Sequence, residues 1–269
     1  MLVALVFAAL LMACRRDPRP EQTPSTTFDT AAAMRIMFGN FDPVIKSSLF
    51  QVPDGAESNP NFVQKDQIRV RPFFVEDLNE GETRRVYMLT WAKPAGQPFD
   101  CNGCVPLIAA GIFINGPNGW QAESVNRAAI SYGNFGKPPE GRLVEIGPGH
   151  RAFLLHLTST TEATTESEAL LVPWKGSVVE AMRIVMADSN DGNCGGAYPC
   201  YKNQRELKFV PGSNPDYNDI VLTLSGTDMP PNPPYKVHDV RGTQRLRFQE
   251  GKYVPIEKSG DTISAEARK

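Results

Sequence analysis

Residues 142–188 constrain the fold of this chain more than any other stretch. Their apolar residues recur in short runs that suit β-strands. Four runs, Arg142–Gly147, Ala152–Thr158, Glu168–Trp174 and Ser177–Ala187, are separated by glycine, proline or clustered polar residues. In the second run, Phe153, Leu155 and Leu157 fall on one face, and Ala152, Leu154, His156 and Thr158 on the other. Gly147-Pro148-Gly149 and Lys175-Gly176 are turn signals at the spacing of an antiparallel meander. Val178, Val179, Met182, Val185 and Met186 also fit a helical face. The hairpin signal just before them favours a strand.

The same habit recurs on both sides of this stretch. Ile68–Val75 and Arg84–Ala92 read as a strand pair with Asp77, Asn79, Glu80 and Gly81 in the turn. Leu107–Ile114 and Trp120–Ser124 form a hairpin closed by Asn115-Gly116-Pro117-Asn118-Gly119. Arg205–Val210 pairs with Ile220–Leu224, and Thr243–Phe248 with Tyr253–Ile256. Thr30–Phe38 is the helix candidate: Thr27 or Asp29 can cap it, Gly39 sits at its C-terminal stop, and Met34, Met37 and Phe38 give it an apolar face. The 23 prolines and 22 glycines fit many turns and few long helices. The expected fold is therefore mainly β: an antiparallel meander of hairpins with one short N-terminal helix. It closes as a partial propeller, a barrel or a sandwich. One β-rich domain spans 28–258 and a polar tail covers 259–269.

The N-terminus carries an address. Leu2–Leu11 has no charge and is too short to span a bilayer, which suits the apolar region of a signal peptide. It runs into Leu11-Met12-Ala13-Cys14, which resembles the lipobox of bacterial lipoproteins. The resemblance implies a signal peptide over residues 1–13 and lipidation, palmitate included, at Cys14. The sequence has no charged residue ahead of Leu2, which leaves a start upstream of Met1 open. Residue 15 is Arg rather than Asp, and by the same resemblance this favours the outer membrane, facing the periplasm. Residues 14–27 hold the Cys and a polar, proline-rich run that cannot pack a core, so they read as a flexible tether. A net charge of −2 gives no electrostatic case for nucleic acid. The basic run Arg69, Arg71, Arg84 and Arg85 reads as a solvated strand face.

Five cysteines include Cys14, which leaves an even set of four. In an oxidising compartment these are expected as disulfides, Cys101 with Cys104 and Cys194 with Cys200. Four thiolates could also hold zinc. Loops this short are worth about 2 kcal/mol each, against nearly 5 for a loop of about 100 residues, so they pin loops rather than hold the fold. Asp188-Ser189-Asn190-Asp191-Gly192-Asn193 looks like a calcium loop, but its glycine is fifth rather than sixth and residue 199 is Pro instead of Glu. Neither a metal nor a cofactor is expected. His150, His156 and His238 are scattered, and no nucleophile elbow, His-Glu-x-x-His or phosphate-binding glycine loop occurs in the sequence. Trp91, Trp120 and Trp174 lie at strand edges, where they could line a sugar or peptide surface or close the core.

Three readings of function follow. The first is a non-enzymatic cell-envelope lipoprotein whose β-rich domain binds a protein or glycan partner. In its hairpins this domain resembles the uncharacterised β-rich secreted proteins common in Gram-negative bacteria, and that resemblance brings no activity with it. The second is an inhibitor or immunity protein against a periplasmic hydrolase, since Trp174-Lys175-Gly176 resembles a segment of bacterial lysozyme inhibitors. The third is an enzyme with a site built from scattered residues. Its sign would be His156, Asp188 and Asp191 together in one deep pocket.

Overall fold

The computed structural model describes residues 27–256, apart from 55, 57, 58, 64, 65, 161, 162, 196 and 197. The signal peptide, Cys14, the tether up to residue 26 and the tail at 259–269 lie outside the described residues.

Helix α1 (Thr30–Phe38) has the bounds its sequence predicts. The Asp29 carboxylate accepts from the Ala31 N–H at its start, and Gly39, with φ 78°, ends it in the left-handed region that glycine tolerates best. The strands then follow in chain order. β1 (Ser48–Gln51), β2 (Gln67–Glu80), β3 (Thr83–Pro94), β4 (Leu107–Gly116) and β5 (Gly119–Ser131) make one antiparallel sheet in that order. β6 (Glu140–Gly147), β7 (His150–Thr160), β8 (Thr164–Trp174), β9 (Ser177–Ser189), β10 (Lys202–Val210), β11 (Asp219–Asp228), β12 (His238–Gln249) and β13 (Lys252–Pro255) make a second, again in chain order. The predicted meander is thus two meanders, one sheet being a curled half-barrel.

Three apolar layers hold these elements together. Met34 and Met37 of α1 pack with Ile68, Val70, Met88 and Phe113 on the outer face of the first sheet. The other face of that sheet, with Leu89, Ile108 and Ile112, meets Phe153, Leu155, Ala169 and Leu171 of the second. Leu154, Leu170 and Val172 point the opposite way and meet Ile220, Leu222, Leu246 and Phe248. Those partners belong to the same sheet, so the second sheet folds over its own apolar face. The alternation in 152–158 therefore serves two cores. That is why Leu154 and Phe153, on opposite faces, are both buried.

The strand-or-helix ambiguity resolves as expected, with Val178–Met186 inside β9. Several boundaries differ from the sequence reading: β12 starts at His238 instead of Thr243, β11 runs to Asp228 instead of Leu224, and two more differences have a visible cause. Asp77, Asn79 and Glu80 lie in β2 rather than in its turn, because the opposite strand neutralises them: Arg84 donates to Asp77 and Arg85 to Glu80. β5 runs on to Ser131, past the expected end at Ser124, held by pairing with β4 through Ser131↔Leu107. Cys101 with Cys104, and Cys194 with Cys200, lie at disulfide distance.

Candidate functional site

The gap between the two sheets opens at one end into a cleft of about 320 Å³. Segments from both sheets build its walls. The β2–β3 hairpin brings Glu80, Arg85 and Tyr87, and β5 brings Glu123. The β6–β7 turn brings His150 and Arg151, while the β8–β9 turn brings Trp174 and Lys175, with Tyr217 added from the loop before β11.

A polar network fixes the charged wall. Glu80 receives Arg85 Nη1 at 3.0 Å and the Tyr87 hydroxyl at 3.1 Å, and Arg151 Nε lies 2.9 Å from its Oε1. Arg85 also forks onto Glu123, Nε to Oε2 at 2.9 Å and Nη2 to Oε1 at 3.0 Å. Arg151 comes from the second sheet and Glu80 from the first, so the ion pair ties the sheets together beside the cleft. Glu80 keeps only 14% of its side-chain exposure, which strengthens its charge-assisted bonds relative to a surface pair. Burial, then the Glu80 charge, pushes the Tyr87 phenol well above the usual tyrosine range. The Arg85 guanidinium is raised chiefly by its bond to Glu123. Arg151 differs from Arg85: its two terminal nitrogens have no partner among the described residues.

The rest of the lining is largely aromatic. The His150 ring stacks on Tyr217 at 4.6 Å, and Tyr217 stacks on Phe248 at 4.2 Å. Trp174 meets Phe248 edge-on at 5.3 Å, and Lys175 Nζ stands 5.2 Å from the Trp174 ring centre. Burial raises the Tyr217 phenol too. Three of these residues, His150, Trp174 and Lys175, stood out in the sequence.

The other candidates lie elsewhere. Trp120 packs edge-on against Phe28 at 5.1 Å beside the helix core, and Trp91 packs against the inter-sheet core, so the three tryptophans fall in three different places. His156 Nδ1 sits 3.9 Å from Glu168, whose carboxyl burial raises. Asp188 instead accepts from Thr165 and Tyr201, and Asp191 is exposed, so the structure does not bring the trio together. Arg85 leaves the solvated face that its basic run suggests and enters the cleft network. Among the described residues, no three His, Cys, Asp or Glu side chains are grouped as a metal site. No protein-family model, no curated protein and no solved structure matches this chain.

Proposed function

We propose that this protein is a lipid-anchored component of the bacterial cell envelope whose β-rich domain binds a protein or glycan partner at the inter-sheet cleft, without transforming it. Support for the anchor is in the sequence: the uncharged run to Leu11, the lipobox-like Leu11-Met12-Ala13-Cys14, the tether after it, and Arg15 in favour of the outer membrane. The observation that carries the binding reading is the pairing of an aromatic wall with a charged wall already locked by hydrogen bonds. Side chains fixed before a ligand arrives lose less freedom on binding. Both carboxylates of the cleft, Glu80 and Glu123, are held by Arg85. That arrangement suits recognition better than proton transfer, which needs a carboxylate free to take a proton.

The inhibitor reading has one observation in its favour. Trp174-Lys175-Gly176 forms a rim of the same cleft, with Lys175 exposed. Both readings are tested by hydroxyl-radical footprinting of the full chain with and without envelope extract. Protection at His150, Trp174 and Tyr217 supports binding at the cleft, and protection confined to other surfaces refutes it. Protection by a purified lysozyme alone would select the inhibitor reading. For the anchor, Cys14→Ser should abolish incorporation of labelled palmitate. Equal labelling of the variant would overturn it.

A further inference from the structure

We infer that the cleft takes a sugar ring bearing a single carboxylate or phosphate, an assignment that rests on the binding reading above. Charge pairing singles out one group. Arg85 answers both Glu80 and Glu123, and Lys175 pairs with Glu250 at 3.1 Å, so Arg151 is the cation of the lining that keeps donors to spare for an anionic group on the ligand.

Arg85 has all three nitrogens committed to Glu80 and Glu123. Arg151 has its Nε beside Glu80 and leaves both terminal nitrogens open to the cleft it lines. A guanidinium held at one edge and open at the other presents a planar pair of donors, and the matching acceptor is a carboxylate or a phosphate. A lysine-like point charge would show no such preference for two parallel bonds.

Trp174, Tyr217 and His150 line the same cleft as Arg151, and a sugar combines apolar C–H faces with hydroxyls around its edge. The cleft volume of about 320 Å³ lies at the small end of ligand pockets, which suits one or two sugar units and not a long peptide.

The test is calorimetric titration of the full chain in detergent with four probes: glucuronic acid, N-acetylmuramic acid, glucose 1-phosphate and neutral N-acetylglucosamine. At least one acidic sugar should bind about tenfold or more tighter than the neutral one. Preference for the two carboxylates or for the phosphate identifies the source of the charge. Arg151→Lys keeps a cation beside Glu80 but loses the fork, and it should erase that tenfold preference while the circular dichroism spectrum is unchanged. Should Arg151→Lys misfold, Trp174→Phe gives an independent check, with weaker binding of every sugar. Equal binding of acidic and neutral sugars, or a preference that survives Arg151→Lys, overturns the inference. If no sugar binds while envelope extract still protects Tyr217 from footprinting, the ligand class is wrong and the binding reading stands. If neither occurs, both fall.

Discussion

The two ends of the inter-sheet core are built from different chemistry. At the open end, Glu80, Arg85, Arg151 and Tyr87 meet in a charged network beside the cleft. At the other end the hydrogen bonds join neutral groups, although Arg183 lies over the Tyr132 ring and Glu168 and Glu180 are within electrostatic reach. The Tyr132 hydroxyl lies 2.7 Å from Ser167 Oγ, Asn134 donates to the Thr158 carbonyl at 3.1 Å, and the Gly136 N–H donates to the Cys104 carbonyl at 2.8 Å, within the loop pinned by Cys101–Cys104. Neutral groups can be sealed from water once each has a partner. Charged groups lose too much hydration to be sealed fully, so an end built from them stays accessible.

Both ends hang on the same apolar middle, and removing it should have the largest effect. Phe153 is fully buried between the sheets and meets Tyr87 at 5.8 Å and Phe74 at 6.1 Å. Phe153→Ala should cost about 3–5 kcal/mol in urea unfolding and loosen both ends together. A cost below about 1 kcal/mol would mean that the sheets are held from their rims instead.

Two glycines compare the ends directly. Gly136, at φ 66°, lies so close to Phe99 that a Cβ would overlap its carbonyl oxygen. Gly149, at φ 71° on the cleft rim, has open space where a Cβ would go. Gly136→Ala should therefore cost more than about 2 kcal/mol, while Gly149→Ala should cost only the backbone strain of about 1–2 kcal/mol. Thermal melts of the two variants check the order. Equal losses would show that the closed end is no tighter than the open one.

The smallest effect sharpens the contrast through pH. Burial pushes the Tyr132 phenol up to about 12, with its Ser167 bond pulling the other way. Since the folded value is above the ordinary tyrosine value of about 10, the stability this group contributes is full below about pH 10 and is lost as pH rises through about 12. Tyr132→Phe should cost about 1 kcal/mol at neutral pH and remove part of the alkaline fall in stability. An unchanged alkaline profile would place Tyr132 in water.

Much of this fold was legible in the sequence, and the reason is local. The cap at Asp29, the stop at Gly39 and the hairpin turns at Asn115–Gly119 and Lys175-Gly176 are short-range signals, and the structure places elements where they point. Val125–Ser131 was not legible as strand, because its residues are a mixture of small, polar and charged types that show no clean alternation. The tail of β2 was hidden for a different reason. Asp77 and Glu80 look like turn residues until Arg84 and Arg85 on the facing strand are known to answer them. The cleft was the least legible feature. Glu80, Glu123, Arg151 and Tyr217 come from separate parts of the chain, and no spacing in the sequence links residues that meet only when two sheets pack.

Hydroxyl-radical footprinting of the free protein tests the difference between the ends most directly, using Tyr217 and Tyr132 as matched probes of the same intrinsic reactivity. Tyr217 lines the cleft and Tyr132 is 4% exposed behind the closed end. Tyr217 should be oxidised several-fold faster than Tyr132. Equal rates, or a faster Tyr132, would contradict a core that is sealed at one end and open at the other.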